Sequence, residues 1–115
     1  MPRAPTTSDV FNAIAEPRRR EIIERLAGGE CAVGDLVRTL KLPQPTVSKH
    51  LGVLREVGVV AVTRRGRERI YRLEPGELKT VHDWTRMFER FWSHQLDRIR
   101  ERAERAATEP SGKRG

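Results

Sequence analysis

Two apolar-periodic segments separated by a proline-containing break set the strongest constraint on this chain. Val33, Leu36, Val37 and Leu40 recur at helical spacing over about two turns, and Val47, Leu51 and Leu54 do so again from Gln44 to Val57. Between them, Lys41-Leu42-Pro43-Gln44-Pro45 reads as a tight turn, because proline lacks an amide donor and restricts the residue before it. Pro45 is placed to start the second helix rather than interrupt it. Gly58 ends that helix. Val59–Thr63 and Ile70–Leu73 then alternate with β-branched residues on either side of Arg64-Arg65-Gly66-Arg67-Glu68-Arg69. This spacing predicts a two-stranded hairpin with a basic tip and a glycine for its turn.

The remaining segments fill out one small domain, the size expected of 115 residues. Ser8-Asp9 can cap a short helix carrying Val10, Phe11, Ile14 and Ala15, and Glu16-Pro17 stops it. Pro17–Ala27 forms the next helix with Ile22, Ile23 and Leu26 inward, closed by Gly28-Gly29. After Glu74-Pro75-Gly76, one long helix is expected from about Glu77 to Ala106. The fold class is mostly α with a small β-hairpin, in the order α-α-α-α-β-β-α. Residues 1–7 are expected to be a disordered arm, 8–107 the folded domain and 108–115 a disordered tail. No apolar run approaches the roughly 18–20 residues that span a membrane, and Met1–Thr7 lacks the apolar core of a secretory signal. Cys31 is the one cysteine, which excludes an intramolecular disulfide and a multi-cysteine zinc site. These features predict a cytoplasmic protein without a cofactor.

Charge placement gives the first indication of a partner. The chain carries 23 Lys+Arg and 16 Asp+Glu, a net of +7. From Lys41 to Arg72 there are eight basic residues and two acids, Glu56 and Glu68, so nearly all the excess lies in the turn, second helix and hairpin. A basic stripe on an otherwise balanced domain is the footprint of a polyanion. Short helix, tight turn, helix and basic hairpin together describe a winged helix-turn-helix. A helix about 10–12 Å across fits the major groove of double-stranded DNA, and its exposed N-terminal side chains reach base edges. Arg18-Arg19-Arg20 splay across more than half a helical turn beside Glu21 and Glu24, so salt bridging is expected there rather than DNA contact.

Leu42-Pro43-Gln44-Pro45-Thr46-Val47-Ser48-Lys49-His50-Leu51-Gly52-Val53-Leu54 resembles the recognition-helix signature of the ArsR/SmtB family of bacterial repressors. Ile14–Ile23 is similar to that family's "ALADPTRRxIL" segment, and Arg65–Leu73 resembles its wing. The resemblance covers residues 8–100 or so, in the family's order. It implies a homodimeric, promoter-binding repressor released by a signal. By the same resemblance Gln44, Thr46, Ser48, Lys49 and His50 would contact DNA, while Arg64, Arg65 and Arg67 would serve the wing. The rival reading of Thr46 and Ser48 is that of tolerated helix-surface residues, and that of His50 an orienting residue or helix filler. Pro43 and Ala32 stand where the family often has a Ser or Thr cap, so both helix starts should lack a side-chain acceptor.

The signal is harder to read. The family's thiol-based metal site uses Cys-Val-Cys-Asp-Leu, and the matching stretch here is Ala32-Val33-Gly34-Asp35-Leu36. Cys31 sits one place too early and reads as a small buried hydrophobe rather than a redox switch. The family's second metal site would fall on Val81, Asp83, His94 and Asp97. Asp83, His94 and Asp97 would share a face of one continuous helix, but one imidazole and two carboxylates make a poor zinc set. No metal ligand is therefore assigned, with a zinc-responsive repressor using those three residues as the rival reading.

The last helix carries a broad stripe of Leu78, Val81, Trp84, Thr85, Phe88, Phe91, Trp92, Gln95, Leu96 and Ile99. Such a stripe exceeds what a small winged helix buries within itself, so a homodimer through the terminal helices is expected. Phe11, Trp84, Phe88, Phe91, Trp92 and Leu96 are its candidate interface residues. A groove between the aromatics for an organic effector is a further possibility, and the effector is left unknown. A rival of another class is a protein-interaction module with an incidental basic surface. No Ser/His/Asp, Cys/His or paired-carboxylate constellation suggests an enzyme.

Overall fold

A computed structural model describes residues 9–108. The expected arm and tail therefore lie outside the described residues, except Thr108, which ends the last helix. The chain divides into two compact units at His82/Asp83.

The first unit runs α1 (Val10–Ile14), α2 (Pro17–Ala27), β1 (Cys31–Ala32), α3 (Val33–Leu40), α4 (Gln44–Glu56), β2 (Val60–Arg65) and β3 (Glu68–Leu73). A 3₁₀ turn at Pro75–Glu77 leads into α5 (Leu78–Arg86). The helices begin and end where local chemistry directs. Asp9 accepts a 2.7 Å bond from the Phe11 amide and caps α1, and Pro17 occupies the first turn of α2. Lys41, with φ 57°, takes the left-handed conformation that closes α3, its amide bonding Val37 O at 2.8 Å.

One core joins these elements. Ile22 and Leu26 from α2, Leu36 from α3, and Val47, Leu51 and Leu54 from α4 are buried against Ala13, Val59, Val60 and Tyr71. The i, i+4, i+7 spacing of Val47, Leu51 and Leu54 turns one face of α4 inward and commits the opposite arc to solvent.

The sheet has three strands in the order β1-β3-β2, all antiparallel, rather than the two expected. β1 is only two residues long, and pairing of Cys31 with Tyr71 and Ala32 with Ile70 creates it. A pair of residues carries no periodicity, so β1 exists only because the folded hairpin offers an edge. Gly66, with φ 62°, occupies the first position of the two-residue turn between β2 and β3. It meets there the positive φ that a twisted hairpin requires. Gly58, with φ 84°, turns the chain from α4 into β2. The Val59 amide bonds Leu54 O at 2.9 Å and Val59 O accepts from Glu74 at 2.7 Å, which ties the base of the hairpin to the end of α4.

In the second unit the expected long helix is broken. α5 ends at Arg86 and α6 runs Glu89–Thr108. Bonds from Met87 to Trp84 O, Phe88 to Thr85 O and Phe91 to Phe88 O are of i→i−3 type, so the ladder tightens into a turn there. Neither glycine nor proline marks the place. Across the turn, Trp84 and Phe88 pack edge-on with centroids 5.1 Å apart, and Phe88 and Phe91 lie 6.3 Å apart. Among the described residues no helix is long and apolar enough to cross a membrane.

Candidate nucleic-acid interface

The turn before α4 leaves its first residues projecting from the core. Gln44, Ser48, Lys49, Gly52 and Arg55 are exposed along one arc of the helix, while Thr46 and His50 are half-buried on its flank. The five expected recognition residues thus divide: three stand clear on the solvent arc, and two lie at the edge where α4 packs. As the sequence indicates, neither α3 nor α4 has a side-chain cap, since Ala32 and Pro43 occupy the cap positions.

His50 is held from behind. Its Nδ1 lies 3.5 Å from Nη1 of Arg19, whose Nε donates to Ala13 O at 2.6 Å. Burial first, and then the Arg19 charge, push the imidazole below its usual range, with Glu16 opposing. Because the guanidinium can only donate, Nδ1 serves as acceptor and Nε2 carries the proton in the neutral ring. The arginine run therefore does more than form salt bridges. Arg18 pairs with Glu21 at 3.3 Å, but Arg19 and Arg20 bond the last carbonyls of α1, Arg20 reaching Ile14 O at 2.8 Å and Ala15 O at 3.2 Å. They supply the C-terminal cap that a five-residue helix stopped by proline lacks.

The wing rises beside α4 in a fixed register. Arg64 pairs with Arg69 and Arg65 with Glu68, while Val62 pairs with the buried Tyr71. Residues two apart share a face of a strand, so Arg64 and Arg69 continue the Val62/Tyr71 face that packs on the core. Arg65, Glu68 and Arg72 share the other face. There Arg65 binds Glu30 at 2.6 Å, and Arg72 binds Glu74 at 3.1 Å and Thr63 Oγ1 at 2.9 Å. An open cleft of about 360 Å³ separates wing and helix. Gln44 and Ser48 line it from α4, Arg67, Glu68, Arg69 and Tyr71 from the wing, and Ala32–Gly34 from the start of α3. Neither Arg69 nor Glu30 was marked by the sequence pattern. The strand register would have paired Arg69 with Arg64, whereas the Glu30 contact spans 35 residues and leaves no local signal.

Cys31 is buried on β1, and burial pushes its thiol above the usual range. The rival metal set loses its geometric basis, because Asp83 lies on α5 while His94 and Asp97 lie on α6. The single-helix register that aligned them does not run through the turn at Met87-Phe88. Among the described residues no group of three His, Cys, Asp or Glu side chains gathers as a metal site. In the second unit, Trp84, Met87, Phe91, Trp92, Leu96 and Ile99 are all exposed.

Comparison with known proteins supports the same reading. Residues 16–62 match the family described as "Bacterial regulatory protein, arsR family". The chain is 40% identical over 86 residues to the HTH-type transcriptional regulator Rv2034 of Mycobacterium tuberculosis, covering 75% of this chain and 78% of that protein. It is 32% identical to the transcriptional repressor SdpR of Bacillus subtilis, covering 67% of this chain and 86% of the relative. Among solved structures, an ArsR-like transcriptional regulator from Rhodococcus sp. RHA1 superposes with a TM-score of 0.66 at 28% identity, over 86% of this chain and 90% of that one. A possible transcriptional regulator for arsenical resistance superposes with a TM-score of 0.63 at 36% identity, over 79% and 92%. With its exposed recognition helix and basic wing on a helical core, the chain belongs to the ArsR family of bacterial regulatory proteins and is a DNA-binding transcriptional regulator of winged helix-turn-helix fold.

Proposed function

We propose that this regulator is a homodimeric repressor that binds a roughly palindromic operator and does not respond to metal. The observation that carries the reading is the shared exposure of Gln44, Ser48 and Lys49 on α4 beside a wing bearing Arg64, Arg67 and Arg69. Two recognition helices about 34 Å apart would enter successive major grooves, with Thr46 and His50 at the helix flank completing each contact. Base edges read by α4 select the site, and the wings add salt-dependent phosphate affinity.

Dimerisation is supported by the second unit, where a 20-residue helix has no buried residue and exposes Phe91, Trp92, Leu96 and Ile99. Together with Phe11, Trp84 and Phe88 these residues form the proposed interface. The loss of thiolates at Ala32 and Gly34, and the separation of Asp83 from His94 and Asp97, support a signal other than a metal ion. The site of action is the cytoplasm, where the chromosome lies.

The test is fluorescence anisotropy with the DNA upstream of the protein's own gene, at physiological salt and against excess random competitor. Binding that survives the competitor and falls with Lys49→Ala or Thr46→Ala is the expected result. A selection from random-sequence DNA that yields no preferred site would overturn the proposal.

A further inference from the structure

We infer that the wing engages DNA through one face only. Arg69, opposite Arg64, seats a backbone phosphate in the cleft beside Gln44 and Ser48, while Arg65 on the other face is held in reserve by Glu30. The inference deepens the DNA-binding reading above and rests on it.

Three independent observations carry it. First, the wing's arginines are sorted by face. Arg65 and Arg72, on one side, each hold a carboxylate, Glu30 and Glu74 respectively. On the other side, Arg64 and Arg69 have no carboxylate within ion-pair distance among the described residues. Second, the register sets Arg64 directly across from Arg69. Like charges placed opposite one another destabilise a hairpin, so this pair costs stability that an anion bound at Arg69 would offset. Third, Arg69 lines the cleft with Arg67, Gln44 and Ser48, whereas Arg64 and Arg65 do not. Two cations, an amide and a hydroxyl supply donors to phosphate oxygens, and Glu68 in the same lining supplies repulsion that limits where the strand can lie. A phosphate seated there fixes the distance between the backbone and the first turn of α4, so Arg69 positions the recognition helix as well as adding affinity. Arg65 keeps the Glu30 carboxylate beside it, so a phosphate that approaches Arg65 also meets that negative charge, which offsets part of the gain.

The experiment uses the full chain and a labelled 30-base-pair duplex of arbitrary sequence, whose binding depends on phosphate contacts alone. Anisotropy is followed from 50 to 200 mM salt. One phosphate contact contributes about 0.9 to the slope of log K against log salt, which amounts to roughly tenfold in affinity at ~0.1 M salt for each chain engaged. Arg69→Ala is expected to lose that much affinity and slope, and Arg69→Lys to restore most of the slope. Arg65→Ala is expected to stay within about twofold of the unmodified chain. Thermal melting supplies a readout that a structural role would move the other way: with the Arg64/Arg69 repulsion relieved, Arg69→Ala should melt at or above the original temperature. Equal losses for Arg69→Ala and Arg65→Ala, or an unchanged slope for Arg69→Ala, would overturn the inference while leaving the DNA-binding proposal intact. Failure of the unmodified chain to bind any duplex at low salt would overturn both.

Discussion

The first unit and the second solve the problem of apolar surface in opposite ways. Between Val10 and Tyr71 the apolar positions of four helices and a small sheet converge, and the largest of them, Ile22, Leu36, Leu51 and Leu54, are almost wholly removed from water. In α6 the apolar residues are as large and as regularly spaced, yet none is buried. Hydrophobic periodicity is therefore a statement about a face, and the identity of what covers that face is a separate matter. The buried unit holds α4 and the wing in register; the exposed stripe is the face assigned above to the proposed dimer interface.

The largest expected effect tests that contrast directly. Leu54→Ala should cost about 3 kcal/mol of folding stability, because the site is fully enclosed and leaves a cavity. Leu96→Ala, on an exposed side chain, should cost under about 0.5 kcal/mol when measured on dilute, dissociated chains. Urea denaturation across a range of protein concentrations separates the two. A concentration-independent loss at Leu96 as large as that at Leu54 would make the stripe part of an internal core and erase the distinction.

Next in size is Phe91→Asp, which places a charge in the proposed interface. Burial of a phenylalanine is worth about 2 kcal/mol, so dimer dissociation should become at least ~30-fold easier while each chain keeps its helical circular dichroism. Sedimentation equilibrium reads this as a shift from twice the chain mass toward the 13.2 kDa of one chain. An unchanged association constant would move the interface elsewhere.

How much of this was legible beforehand follows the same division. Helices α1 to α4 announced themselves through Asp9, Pro17, Gly58 and the proline turn, because caps and breakers act within a few residues. The outward arc of α4 was legible for the same reason, being fixed by the spacing of Val47, Leu51 and Leu54. What escaped was set by partners distant in sequence. Strand β1 depends on Tyr71, forty residues away from Cys31. The Glu30–Arg65 pair depends on the hairpin being folded, and the capping of α1 by Arg19 and Arg20 looked like a charge cluster until the carbonyls they bond were in view. The turn at Met87-Phe88 escaped because i→i−3 bonding needs no special residue.

A smaller gain is expected where the buried unit is locally imperfect. Pro43 leaves the start of α4 without a side-chain acceptor, and its extended φ of −61° and ψ of 147° suit serine equally well. Pro43→Ser should stabilise the first unit by about 1 kcal/mol, read as a higher urea midpoint at unchanged slope. No gain would mean that the rigid proline, by limiting the unfolded chain, already contributes as much as the missing cap.

The smallest effect concerns pH, and it distinguishes the site that lies against the core from the exposed surface around it. His50 is held below its ordinary value of 6.5, by burial first and then by the Arg19 charge. The unfolded chain therefore binds the proton at a higher pH than the folded one, and between the two values the unfolded state carries more protons. Stability is complete above pH 6.5 and falls as the pH drops below it. His50→Gln removes the titrating group, so its stability should be flatter than the original chain's between about pH 7 and 5.5. Arg19→Gln should flatten it in part, since burial would remain while the repelling charge is gone, but with a cost in capping α1 that is present at every pH. Urea midpoints at pH 7 and 5.5 for the three chains decide the matter. Identical slopes in all three would mean that His50 takes up its proton as readily in the fold as out of it, and that Arg19 serves α1 alone.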